Sequence, residues 1–433
     1  MESSPLPLAF ALISMEGPDQ YSQAGGLGVR VTQLSRALAA ADYPTRVYFL
    51  GDPQLPAAES WGEVELCRLA QEISREFPGG VYQGEMLKVS YLADRFPPQL
   101  VTDWVLPQLE AGRLPVLLFE EWQTAAWARG TFEMLWERGL ADRCLLLWNA
   151  NNQFGFERVD WVGLDQAAAI TTISRHMRLL VEGFGVDPIV IPNGIPEEHL
   201  LPVDQAAVAA LRRAAGGRQV LLKVGRFHRD KGWIQAVKAL GELRAAGRPL
   251  RMLARGGNER YRQEVMGAAA QAGLRVERWE EEIHQVGDLV QALEATPEVD
   301  LLELVRFLPE ELLPLLYASS LAVLANSGFE PFGLVGLETM ASCGLAVVGA
   351  TGEDYARHLH NSVVIETSDP SELAQAIATV AADPERAERI RQAGREMAGA
   401  YCWPQVIEGD FLPRLSLLAR RRGIAWPLDR LDS

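Results

Sequence analysis

The chain has 433 residues, too many for one ordinary core and enough for two domains of about 200 residues each. Hydrophobic residues at 48% and charged residues at 23% exclude a disordered chain or a disulfide miniature, and a net charge of -16 gives no global attraction to nucleic acid or anionic lipid. Cys67, Cys144, Cys343 and Cys402 show neither C-x-x-C nor zinc-finger spacing, and the apolar stretch 5–13 lacks a basic flank and is far short of the ~18 residues of a bilayer span, so a cytoplasmic protein without a transmembrane segment is expected.

Short apolar runs alternate with longer helical patterns along the whole chain, the signature of βα units stacked on parallel sheets. The first strand is predicted over 6–14. It leads into Gly25-Gly26-Leu27-Gly28, a loop fit for close backbone approach to an anion or sugar, which opens a helix with Val31, Leu34 and Leu38 at a 3.6 period. Strands are then expected over 45–50, 115–119, 143–148, 169–174 and 189–191. Glu121-Trp122-Gln123 follows the second of these and Asn151-Asn152 the third, and both asparagines suit either sugar hydroxyls or a structural loop. Seven of the eleven tryptophans fall within the first 161 residues, where core packing is the commoner fate than stacking on a sugar. Residues 191–196, with two prolines and a glycine, read as a hinge.

A second series of strands is expected over 219–225, 250–254, 274–279, 301–307, 321–326, 345–350 and 363–366. The acidic run Glu280 to Glu282 reads as a solvated excursion between them. Near the C-terminus, Arg420, Arg421 and Arg422 read as a solvated helix end, with a weak peripheral membrane contact as the other reading.

Two constellations in this second half carry chemistry. The predicted strand 219–225 runs into Arg226-Phe227-His228-Arg229-Asp230-Lys231-Gly232, with a helix from Trp233. Two cations thus flank one βα turn at the carboxyl end of a parallel strand, beside the roughly half positive charge of a helix N-terminus, an arrangement suited to a diphosphate. The chain has only four lysines, Lys88, Lys223, Lys231 and Lys238, so Lys231 departs from its preference for arginine. The second constellation is Glu330-Pro331-Phe332-Gly333-Leu334-Val335 with Glu338. Glu330 sits on a loop and Glu338 lies inside the next helix, about 7.5 Å of helix rise from Gly333, so both carboxylates can reach one ligand. Gly333 permits close approach, and the free N–H groups of Leu334 and Val335 suit a phosphate oxygen. The bland readings are an exposed basic loop and a glutamate helix cap.

Together these motifs resemble the retaining GT-B glycosyltransferases of the glycogen-synthase-like family four (glycosyl transferases group 1), over nearly the whole chain. The resemblance implies an α/β, GT-B fold: two Rossmann-like doubly wound domains facing each other across a cleft. The expected division is 1–195, an acceptor-side domain; 196–405, a nucleotide-sugar domain; and 406–433, a C-terminal helix returning to the first. It implies a hexosyl transferase acting from a UDP-, GDP- or ADP-sugar onto a carbohydrate or other hydroxyl acceptor, without cofactor or metal. Arg226 and Lys231 would hold the diphosphate, Glu330 the donor sugar and Glu338 the ribose, with Phe332, Gly333, Leu334, Val335, Gly25, Gly26 and Gly28 on the donor and Glu121, Trp122, Asn151 and Asn152 on the acceptor side. No D-x-D occurs to bind a divalent cation. The sequence departs from the family where a histidine often follows an N-domain strand: here stands Trp148-Asn149-Ala150-Asn151-Asn152, Glu121-Trp122-Gln123 replaces an Asp-Trp-His, and His176 lies on a later helix. The alternatives with the same fold are a nucleotide-sugar 2-epimerase type of isomerase and a non-catalytic sugar-binding relative.

Overall fold

The computed structural model describes residues 7–430. Pro5 and Leu6, which begin the first predicted apolar run and strand, lie outside the described residues, as do 431–433. Contacts divide the chain into two compact units, one of Glu197–Cys402 and one made of the residues before and after it.

The first unit holds β1 (Leu8–Ile13), β2 (Thr45–Phe49), β3 (Ala58–Trp61), β4 (Val64–Arg68), β5 (Leu114–Glu120), β6 (Leu145–Ala150), β7 (Ala169–Thr172) and β8 (Ile189–Val190), in the sheet order β3-β4-β2-β1-β5-β6-β7-β8. All neighbours are parallel except β3 on β4. β1 and β5 are buried at every position because helices cover both faces, which is why they read as unbroken apolar runs. The β3–β4 hairpin has no such run. Its strands, AESW and VELCR, carry charges and form an edge, and they turn at Gly62 with φ 61°.

The chain after Cys402 rejoins this unit. Trp403 N–H donates to Ile195 O at 2.9 Å, and Phe411, Leu415 and Leu418 are buried with Leu8, Phe10 and Leu34. Each such side chain removed from water contributes about 1.5–3 kcal/mol. The arginines at the helix end are engaged: Arg421 reaches Asp187 Oδ2 at 3.2 Å and Arg422 donates to the carbonyls of Asp165 and Gln166.

The second unit has seven parallel strands, β9 (Gln219–Val224), β10 (Leu250–Arg255), β11 (Val276–Trp279), β12 (Leu301–Leu304), β13 (Ala322–Ala325), β14 (Ala346–Val348) and β15 (Val363–Val364), ordered β11-β12-β10-β9-β13-β14-β15. Two apolar clusters cover its faces, one centred on Leu221, Met252 and Leu324 and one on Leu222, Leu253 and Val323. In each unit the chain order reverses beside the first strand, between β1 and β5 and between β9 and β13. Loops leaving the carboxyl ends there diverge to opposite faces, leaving a crevice in which ligands of open α/β sheets bind.

Candidate functional site

The switch point of the second unit gathers the sequence-predicted residues. β9 is followed by Gly225 with φ 143°, and Gly232, at φ 63°, starts the helix Trp233–Ala245. A side chain at Gly232 would overlap the Asn326 carbonyl, so glycine is required both by conformation and by space. Between these glycines Arg226 is exposed, while its carbonyl accepts from Trp233 Nε1 at 2.9 Å. Phe227 is buried against Trp233 and its N–H donates to Glu259 Oε2 at 3.0 Å. The loop is therefore anchored inward by Phe227 and presents Arg226 outward. Lys231 Nζ reaches across to Glu330 Oε2 at 2.5 Å, joining the loop after β9 to the loop after β13.

Glu330 is held on several sides. Ser327 Oγ donates to the same Oε2 at 2.9 Å, and Thr351 Oγ1 accepts from Glu330 N–H at 2.9 Å while donating to Glu330 O at 3.0 Å. Thr351 N–H in turn donates to Glu353 Oε2 at 3.1 Å. Gly352 lies so close to the Glu330 and Pro331 carbonyls that any side chain there would overlap them. Burial first, and then the neighbouring Glu330 carboxylate, push Glu353 up to about 8; its Oε1 is buried without a hydrogen-bond partner. Tyr355 donates to the Gly333 carbonyl.

Gly333, at φ 85°, starts the helix Leu334–Ala341, and no side chain caps it, so its first N–H groups lack a side-chain partner. Phe332 is 2% exposed with its ring against Tyr355 and Tyr401, so it anchors the loop in the core, and the expected donor contact by its side chain does not follow from this placement. Glu338 is half-buried on the helix, accepts from Tyr317 Oη at 3.3 Å and is pushed by burial up to about 7.

Lys223 is the site residue that motif reading passed over. Buried on β9, it donates to Leu324 O at 2.9 Å and Asn326 Oδ1 at 2.7 Å, and stitches β9 to β13 directly beneath the two loops. Burial first, and then the nearby Lys231 charge, bring it down to about 7. A lysine inside the apolar run Val220-Leu221-Leu222-Lys223-Val224 was the available signal.

In the first unit the glycine loop is already filled. Glu16 Oε2 accepts from the N–H groups of Ala24 at 3.1 Å, Gly25 at 2.9 Å and Gly28 at 2.9 Å, and Gly26 begins the helix Gly26–Ala40. The amides of Gly25 and Gly28, expected on the donor side, thus meet the chain's own carboxylate, as does that of Ala24. At the ends of β5 and β6, Glu121 Oε1 accepts from Asn151 N–H at 2.7 Å and Asn152 N–H at 3.0 Å, while Asn151 Nδ2 donates to Glu120 Oε2 at 2.6 Å. Glu120 also pairs with Arg30 at 3.2 Å. Glu121 has φ 67° and ψ 168°, a region otherwise left to glycine, at a cost of about 1–3 kcal/mol. Trp122 closes over Gly155, and Arg158 stacks on its ring at 4.9 Å. His176 sits on the helix Arg175–Glu182, away from these strand ends in sequence.

Among the described residues no group of three or more His, Cys, Asp or Glu side chains could hold a metal ion, and no helix is long and apolar enough to cross a membrane.

Residues 210–397 match the family model of Glycosyl transferases group 1. A D-inositol 3-phosphate glycosyltransferase of Nocardia farcinica is 27% identical over 251 residues, 55% of this chain and 50% of that protein. The chain thus spans about half the length of the curated relatives it matches. Among solved structures, a sucrose-phosphate synthase of Thermosynechococcus elongatus superposes with a TM-score of 0.64 at 21% identity, covering 95% of this chain and 100% of that one. The catalytic domain of starch synthase IV of Arabidopsis thaliana does so with a TM-score of 0.69 at 15% identity, covering 96% and 99%. The chain has the GT-B fold, and its residues 210–397 match the model of Glycosyl transferases group 1.

Proposed function

We propose that the protein transfers a hexosyl residue from a nucleoside-diphosphate sugar to an acceptor hydroxyl, with retention of anomeric configuration. The observation that carries the reading is the Lys231–Glu330 contact, which sets a cation and a carboxylate side by side at the switch point with Arg226 and the uncapped helix start at Gly333. Arg226, Lys231 and the N–H groups of Leu334 and Val335 supply positive potential where charge develops on a departing diphosphate, the term that dominates in such reactions. Glu330, already bonded to Lys231 and Ser327, is placed to orient a sugar hydroxyl rather than to attack carbon. Glu338 is the candidate for the ribose hydroxyls. In this reading the acceptor hydroxyl forms its bond to the anomeric carbon as the bond to the diphosphate breaks, and the acceptor proton passes to the leaving phosphate oxygen on the same face. Glu121, Trp122, Asn151 and Asn152 belong to the acceptor side. The name of the Nocardia farcinica relative and the family of residues 210–397 support glycosyl transfer; a role for these protein cations in place of a metal is our reading of Arg226 and Lys231.

The test is product analysis with UDP-, GDP- and ADP-sugars in the presence of EDTA. Release of free nucleoside diphosphate with the sugar joined to the acceptor in the anomeric configuration it had in the donor is expected. Recovery of an isomerised nucleotide sugar would replace transfer by epimerisation, and turnover that vanishes on chelation and returns with magnesium would require a metal that these residues do not replace.

A further inference from the structure

A pocket of about 520 Å3 opens beside the loop after β1, lined among others by Gln20, Tyr21, Gln23, Asp52, Tyr82 and Gln83. That volume suits a small ligand. Its lining offers amides, phenols and one carboxylate, and no Lys or Arg belongs to it. The Lys88 ammonium behind the wall is fully buried and spent on Tyr21 Oη at 2.8 Å and on the carbonyls of Gly80 and Val81.

The adjoining glycine loop has the geometry of an anion cradle, three converging N–H groups at a helix start, but Glu16 occupies it and is 4% exposed. Tyr82, which lines the pocket, donates to the other Glu16 oxygen at 2.5 Å. Burial first, and then the carboxylates of Glu16, Glu121 and Glu85, push the Tyr82 hydroxyl upward, so it stays an O–H. A phosphate entering here would have to displace an internal carboxylate and then face Asp52 without a countercharge.

At the ends of β5 and β6 three oxygens, Glu121 Oε2, Gln123 Oε1 and Asn151 Oδ1, are buried with no hydrogen-bond partner. Their residues are 2%, 4% and 8% exposed. Burial first, and also the Glu120 carboxylate, raise the Glu121 carboxyl well above the usual carboxylate range so that Oε2 can carry a proton, while the Gln123 and Asn151 oxygens are orphaned acceptors that cost about 1–3 kcal/mol each until a donor reaches them. Hydroxyl groups are such donors. Arg30 cannot serve an anion because Glu120 and Asn193 consume it. Arg158, over Trp122 and beside Glu157, is a half-exposed cation that a phosphate could recruit from outside, so it enters the test.

We infer that this unit takes an uncharged polyol as acceptor, a carbohydrate or cyclitol without phosphate, and that Glu16 in the glycine loop excludes the phosphorylated counterparts. The word acceptor rests on the transferase reading above; the binding preference does not.

Calorimetric titration of the full chain with matched pairs, glucose against glucose 6-phosphate and myo-inositol against D-inositol 3-phosphate, tests it. The neutral member of at least one pair should bind, and each phosphorylated member should bind about ten-fold more weakly or not at all. Gln23→Ala, an exposed change in the lining, should weaken the neutral ligand several-fold without changing UDP affinity, and Arg158→Ala should leave the ranking unchanged. Tighter binding of either phosphorylated member overturns the inference, and so does the absence of saturable binding by both neutral members. UDP titrated on the same preparation separates the failures: lost UDP binding with an intact polyol preference sinks the donor assignment alone.

Discussion

A single hydroxyl clasps both backbone groups of Glu330: Thr351 Oγ1 accepts from the Glu330 N–H at 2.9 Å and donates to its carbonyl at 3.0 Å. The clasp comes from the loop after β14, and Gly352 lets that loop lie directly against Glu330 and Pro331. Glu330 thus owes its position to a residue that contacts no donor in the proposed mechanism. Thr351→Val keeps the shape and removes both bonds. It should lower kcat about ten-fold through a small misplacement of the carboxylate while costing about 1–3 kcal/mol of stability. Thr351→Ser should restore most of the rate. If serine fails to rescue, the methyl group matters more than the hydroxyl and the positioning role is lost.

Arg226→Ala and Lys231→Ala should each slow turnover by about 10²-fold or more with the fold intact, since one preorganised charge at a developing anion is worth about 3 kcal/mol. Lys231 has a second effect. Its removal leaves Glu330 without its cation partner, so Lys231→Ala should also weaken donor binding through carboxylate–phosphate repulsion. Arg226, exposed and outside that pair, should act on kcat with little change in stability. Arg226→Lys should not restore the rate if the guanidinium contacts two phosphate oxygens. Near-normal rates in both alanine variants would return this loop to a solvated basic surface.

Glu338→Gln should mainly raise the donor KM, and Glu330→Gln should mainly lower kcat. Ribose contacts persist through the reaction, whereas contacts near the anomeric carbon change as charge develops. The two carboxylates already differ in surroundings: Glu330 meets Lys231 and Ser327, while Glu338 meets Tyr317. Equal effects of both substitutions on both parameters would mean that the roles are not divided in this way.

The strands that run buried through both sheets were legible because burial on two faces demands continuous apolar residues, as in Leu8–Ile13 and Leu114–Glu120. The Ala58–Trp61 and Val64–Arg68 hairpin escaped because an edge strand needs no such run. At the site, Arg226, Lys231, Glu330 and Gly333 declare themselves by spacing on two βα turns. Thr351, Glu353 and Lys223 do not, since their importance lies in partners that only the sheet order brings near. Lys223 meets Asn326 across adjacent strands more than a hundred residues apart in sequence. Glu16 is the clearest case: the loop Gly25 to Gly28 looked open to a ligand, and an upstream carboxylate with no motif of its own takes the amides of Ala24, Gly25 and Gly28.

Glu353 should make the protein lose stability as the solution becomes alkaline. Burial, assisted by the Glu330 carboxylate, raises it to about 8 in the folded chain, against a value near 4.3 when unfolded. A carboxyl raised by folding is held neutral; its contribution is fully present below about pH 4.3 and is lost as pH rises through about 8, because the unfolded chain then releases a proton that the folded one keeps. Glu338, raised to about 7, works in the same direction, so the wild-type slope alone does not isolate Glu353. Glu353→Gln does, because an amide preserves the acceptor for the Thr351 N–H at 3.1 Å and cannot ionise. Melting temperatures measured at pH 6 and pH 9 should fall more steeply for the wild type than for the variant, with a difference corresponding to a few kcal/mol at most. Parallel pH dependences would mean that Glu353 is already ionised at neutrality, and its unpartnered Oε1 would then need a cation that the surrounding loop does not provide.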